Sequence, residues 1–111
     1  MPRGLLVTII VGLATLASAQ TARPTQTFMG VITDSECSMA DHRQMQMGDT
    51  DAECVKACIE AHGATYVLFD GKTVYNLSDQ TTPEKFAAKK VKVVGVLGAK
   101  STIQVQSITA G

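Results

Sequence analysis

Apolar residues follow different periods along this chain, and each period predicts its own element. Leu5 to Leu16 is a nearly continuous apolar run. From Phe28 the text changes to FMGVIT (28–33), a strand pattern that Asp34-Ser35 interrupts. A polar, Met-rich stretch, ECSMADHRQMQMGD (36–49), reads as a loop. Thr50-Asp51-Ala52-Glu53 then forms a capping box, in which the Thr50 hydroxyl accepts from the Glu53 amide and the Glu53 carboxylate reaches back to the Thr50 amide. The helix it opens runs through Cys54, Val55, Ala57, Cys58, Ile59 and Ala61 and stops at His62-Gly63, with Gly63 as a left-handed cap.

Strand patterns fill the remainder. TYVLFD (65–70) and KTVYNL (72–77) flank Asp70-Gly71, a strong hairpin signal. Thr82-Pro83 offers a second helix start, with PEKFAAKK as a short helix that turns Phe86 inward. KVKVVGVLG (90–98) and STIQVQSI (101–108) close the series, joined around Gly98-Ala99-Lys100. Gly95 inside the first marks a bulge or bend, and in the second Ile103, Val105 and Ile108 look inward with a one-residue slip before Ile108. The expected class is mainly β with one or two short helices (α+β). The order is that of a five-stranded OB-fold-like barrel with a loop-helix insert after the first strand. A two-layer sheet-and-helix sandwich accommodates the same elements.

The early G-V-I-T strand (30–33), the Y-V-L-F-D-G-K-T-V-Y hairpin (66–75), and K-V-x-V-x-G-x-L followed by I-x-V-x-S-I (90–97, 103–108) together resemble the small bacterial periplasmic OB-fold proteins of the stress-tolerance type. The resemblance covers most of residues 28–109 and implies a fold far more than an activity. Segment 34–63 departs from that family's pattern.

Composition divides the chain further. Arg3, the apolar run and the Ala17-Ser18-Ala19 triplet make residues 1–19 a secretory signal peptide, with cleavage expected between Ala19 and Gln20. The run is short of a membrane span, and no Cys follows the cleavage site for a lipid anchor. Residues 20–27 read as a flexible leader and 28–111 as the domain, in the periplasm or secreted. A chain of 92 residues is small enough to gain from a metal or covalent staple. Without Arg3 it carries nine basic and ten acidic side chains, a balance unsuited to nucleic acid. Residues 34–60 hold seven acids against Arg43 and Lys56.

All three cysteines and both histidines lie in the insert, as Cys37-x4-His42-x11-Cys54-x3-Cys58-x3-His62. Cys54 and Cys58 share one helix face, and the loop carrying Cys37 and His42 can fold over it. Three thiolates and an imidazole complete a tetrahedral set for Zn2+, and thiolates with thioethers also suit Cu+. The candidate ligands are Cys37, His42, Cys54 and Cys58, with His62, Met45 and Met47 as possible additions. His62 also fits as a cation at the helix C-terminus.

Two other readings stay open. Export favours a disulfide, Cys37 with Cys54 or Cys58, in a stapled, non-enzymatic protein whose barrel face holds a small molecule or protein. A bridge between Cys54 and Cys58 within one helix suits disulfide geometry less well. Alternatively Met39, Met45 and Met47 around His42 act as a soft-metal motif of a copper or silver carrier, or else fill gaps where the loop meets the barrel. Cys54 in a first helical turn suits a nucleophile, but no triad order, carboxylate pair, phosphate loop or haem motif accompanies it, so no enzyme is expected. Tyr66, Phe69, Tyr75 and Phe86 could form a stacking face, though alternation places at least two in the core.

Overall fold

The computed structural model describes residues 23–111, so the expected signal segment 1–19 lies outside the described residues. Five strands, β1 (Gln26–Asp34), β2 (Tyr66–Phe69), β3 (Val74–Leu77), β4 (Lys90–Leu97) and β5 (Thr102–Ala110), close into a ring in the order β1-β2-β3-β5-β4. Every neighbouring pair is antiparallel except β3 with β5, which run parallel. The closed ring replaces the sandwich alternative. Its interior holds Ile32, Leu68, Val91, Val93 and Ile103, all with no exposed surface.

Strand ends follow from pairing. β1 begins at Gln26, two residues before the expected start, because Gln26 and Thr27 lie opposite Gly95 and Val94 of β4. At the β2–β3 turn, Gly71 has φ +100° and the Asp70 carboxylate accepts the amides of Lys72 and Thr73 at 2.8 and 2.7 Å. These hydrogen bonds stabilise the ionised carboxylate and hold its pKa down. Between β4 and β5 the register shifts at Val94/Gly95, so Ser107 and Val105 are paired while Gln106 is the extra residue. That bulge is the slip before Ile108 in the sequence.

The one α-helix among the described residues, α1 (Asp51–His62), sits between β1 and β2. Thr50 caps it by accepting from the Glu53 amide at 3.1 Å, and Gly63 ends it at φ +62°. The reciprocal half of the capping box differs from expectation: Glu53 Oε2 accepts from the Asp49 amide at 2.8 Å rather than from Thr50. Val55 packs into the ring's core, with Ala52 and Ile59 beside it, which anchors a helix too short to persist alone.

The second expected helix is instead a 3₁₀ turn, Thr82–Phe86. Its start is held by Asp79, whose Oδ1 accepts the amides of Thr81 and Thr82 at 2.9 and 3.0 Å, and not by a Thr82 cap. It cannot lengthen because the next residues join β1. The Ala88 amide donates to the Ile32 carbonyl at 2.8 Å, and the Ile32 amide to that of Lys89 at 3.1 Å. Of the aromatic residues, Tyr66 is in the core, and Tyr75 and Phe86 pack against it.

Candidate metal centre

Three structural pieces bring the site together: the end of β1, the loop 35–50, and the first two turns of α1. Asp34, the last residue of β1, opens the loop by accepting the amides of Glu36 and Cys37 with one carboxylate oxygen, both at 2.9 Å. The Thr33 hydroxyl donates to the Cys37 carbonyl at 2.7 Å, and the Ala40 amide donates to the same carbonyl at 2.9 Å. Cys37 is thereby fixed over the ring's edge with its thiol turned inward, 8 % exposed.

His42 lies in the next turn of the loop and is also buried, at 5 % exposure, despite its polar neighbours. Cys54 arrives from the first turn of α1. Its Sγ donates to the Met45 carbonyl at 2.9 Å. The sulfurs of Cys37 and Cys54 and a ring nitrogen of His42 all lie within 4.8 Å of one another. A tetrahedral Zn2+ with sulfur ligands needs ligand separations of about 3.8 Å, so a small contraction brings the three groups onto one ion.

The imidazole supplies an independent test of fit. His42 Nδ1 is buried with no hydrogen-bond partner among the described residues. Buried ring nitrogens are normally satisfied, and an open one on a ring that lies beside two thiols fits a residue whose partner is a cation. Two sulfurs and one nitrogen are also the donor types that Zn2+ and Cu+ prefer.

Cys58 stands one turn further along α1, fully buried. It lies outside the compact trio but belongs to its surroundings. Burial, then the negative charge of Asp34, then the Cys54 and Cys37 thiols push its pKa up to about 12. Burial, Asp34 and Cys54 likewise raise that of Cys37. All three cysteines are free thiols, so the alternative of a Cys37 disulfide to Cys54 or Cys58 is not formed here.

The additional candidates separate from the centre. His62 is exposed at the end of α1, and its Nε2 meets the Met47 sulfur at 3.0 Å, forming a contact apart from the buried trio. Met45 enters through its carbonyl, while its side chain, 38 % exposed, lines a surface cavity of about 460 Å³ with Glu36, Cys37, Asp41 and Gln44. Met39 is 66 % exposed and therefore fills no gap. Asp34 escaped the sequence reading. It looked like a strand breaker, yet it is fully buried and its second oxygen has no partner among the described residues.

No known protein family, curated protein or solved structure matches the chain. No helix among the described residues is long and apolar enough to cross a membrane.

Proposed function

We propose that this chain is an exported, non-enzymatic protein of OB type whose insert carries a Cys3His transition-metal site. Cys37, His42 and Cys54 hold the ion, and Cys58 completes the set by a side-chain rotation from its place one turn away. The ion is Zn2+ or Cu+, and complete coordination makes the role structural or storage, since a catalytic metal keeps a position open. The observation that carries the reading is the buried Cys37–His42–Cys54 convergence, in which the His42 ring also has an unpartnered nitrogen. The OB assignment is supported by the strand order β1-β2-β3-β5-β4 with its parallel β3–β5 pair. Export is supported by the charged, apolar and small-residue segments of residues 1–19.

The chemistry is exchange of protons for a cation. When bound, the metal supplies the positive charge that lets buried thiols ionise, and each thiol that becomes a ligand releases its proton to solvent. The chain's part is to hold the sulfurs in place from two separate segments, so binding ties the loop 35–50 to α1 and stabilises both.

The test is metal analysis with a thiol count on protein purified without chelator. One ion per chain and thiols resistant to alkylation until the ion is removed support the proposal. A chain without metal that loses two daltons to a disulfide overturns it.

A further inference from the structure

Asp34 is a buried carboxylate whose second oxygen is unused. Its Oδ1 holds the turn that carries Cys37, through the amides of Glu36 and Cys37. Oδ2 is buried and has no hydrogen-bond partner among the described residues. The one ion pair among the described residues joins Arg43 to Asp41, so no lysine or arginine there neutralises Asp34. A buried, unneutralised carboxylate is costly, and its charge weighs on every change of charge nearby. The carboxylate stands beside the centre, since the Cys37 amide donates to its Oδ1 at 2.9 Å.

We propose that Asp34 sets the charge preference of the metal centre, favouring a divalent over a monovalent cation. The inference rests on the metal-binding reading above and adds its selectivity. When a divalent ion enters and two thiols release two protons, the charge facing Asp34 does not change. When a monovalent ion enters the same two sulfurs, two positive charges leave and one arrives, so the centre becomes one unit more negative. That unit repels the Asp34 carboxylate across a poorly screened interior. If Cys58 ionises as well, both cases become one unit more negative and the difference between them stays. Asp34 therefore penalises Cu+ relative to Zn2+ for any number of thiolates that the two ions bind alike.

The experiment compares Zn2+ and Cu+ affinities of the full chain, reduced and oxygen-free at one pH, by competition with chromophoric chelators. Asp34→Asn removes the charge and leaves an oxygen to accept the turn's amides. Its preference for Zn2+ over Cu+ should fall about tenfold or more, chiefly through tighter Cu+ binding. Asp34→Ser, a second neutral residue able to accept the same amides, should move the ratio in the same direction. Asp34→Glu keeps the charge and should hold the ratio within about threefold of the original. Equal shifts in both affinities, or an unchanged ratio in the neutral variants, overturn the inference and leave the metal site standing. Neutral variants that fail to fold, judged by circular dichroism with metal present, make Asp34 a turn cap alone and overturn it too. A parent chain that binds neither ion removes the metal reading itself, a distinct result.

Discussion

The Cys54 thiol donates a hydrogen bond to the Met45 carbonyl at 2.9 Å, so the first turn of α1 fastens the loop in front of it even without an ion. The proposed metal binding and the loop fastening are thus two separate jobs of one sulfur. Replacing Cys54 with Ser keeps a donor and should change the stability of the metal-free chain by less than about 1 kcal/mol. The same change should weaken Zn2+ binding by about a hundredfold or more, because a ligand is lost. Cys54→Ala should destabilise the metal-free chain by about 1–2 kcal/mol more than Ser, since the Met45 carbonyl loses its partner. Urea denaturation with chelator present separates the two.

The buried thiols predict an alkaline limit for the metal-free protein. Burial, with the Asp34 charge behind it, pushes the Cys58 thiol from an ordinary 9.0 up to about 12 in the folded chain, and Cys37 is raised as well. Above pH 9 the unfolded chain releases these protons while the folded chain keeps them, so unfolding gains. Stability should therefore be level below pH 9 and fall as pH rises toward 12, by up to about 1.4 kcal/mol per pH unit for each such thiol. Thermal melts between pH 7 and 11 read this slope, and Cys58→Ala should flatten it.

Two glycines of the β4–β5 region should respond in opposite ways to alanine. At Gly95 a Cβ would collide with the Gln104 carbonyl oxygen and press on the Ile103 side chain at 2.8 Å. The backbone there is buried between two strands, so Gly95→Ala should cost about 1–3 kcal/mol, a melting decrease of about 4–8 °C per kcal/mol. At Gly98 the nearest atom is Thr102 O at 3.5 Å, ordinary contact, and Gly98→Ala should stay within about 0.5 kcal/mol.

Gln80 acts as a clasp on β2. Its Oε1 accepts from the Tyr66 amide at 2.8 Å, and its Nε2 donates to the carbonyls of Tyr66 and Leu77, both at 3.0 Å. Gln80→Ala should lower stability by about 1–3 kcal/mol. Gln80→Glu, which keeps the acceptor and loses the donor, should fall between Ala and the parent in a chemical melt.

Local signals in the chain were readable where one residue type answers one local demand. Asp70-Gly71 placed a turn, Thr50 and Gly63 bounded α1, and the slip before Ile108 located the bulge at Gln106. Tertiary pairing decided what such signals missed. PEKFAAKK has helical spacing, but the pairing of Ala88 and Lys89 with Ile32 stops it at one 3₁₀ turn. At the candidate site, clustering of Cys and His pointed to the segment in which Cys37, His42 and Cys54 converge, and helical spacing put Cys54 and Cys58 on one face. Spacing alone could not tell that Cys54 meets Cys37 and His42 while Cys58 stands one turn behind. Nor could it separate Met47 and His62 into a surface contact. Asp34 was hidden because a carboxylate after a strand reads as exposed punctuation, whereas here the loop folds over it.

The ring is joined unevenly. β3 meets β5 only where Asn76 faces Thr102 and Leu77 faces Ile103, whereas β1 lies along β4 from Gln26 to Val31. A closed hoop opens at its shortest weld. The Ser78 amide, which donates to the Ile103 carbonyl at this junction at 3.0 Å, should therefore trade its proton with solvent before those of β1, which carries the Cys37 turn. The hoop can gape on one side while the Cys37–His42–Cys54 group, built on the long weld, keeps its shape.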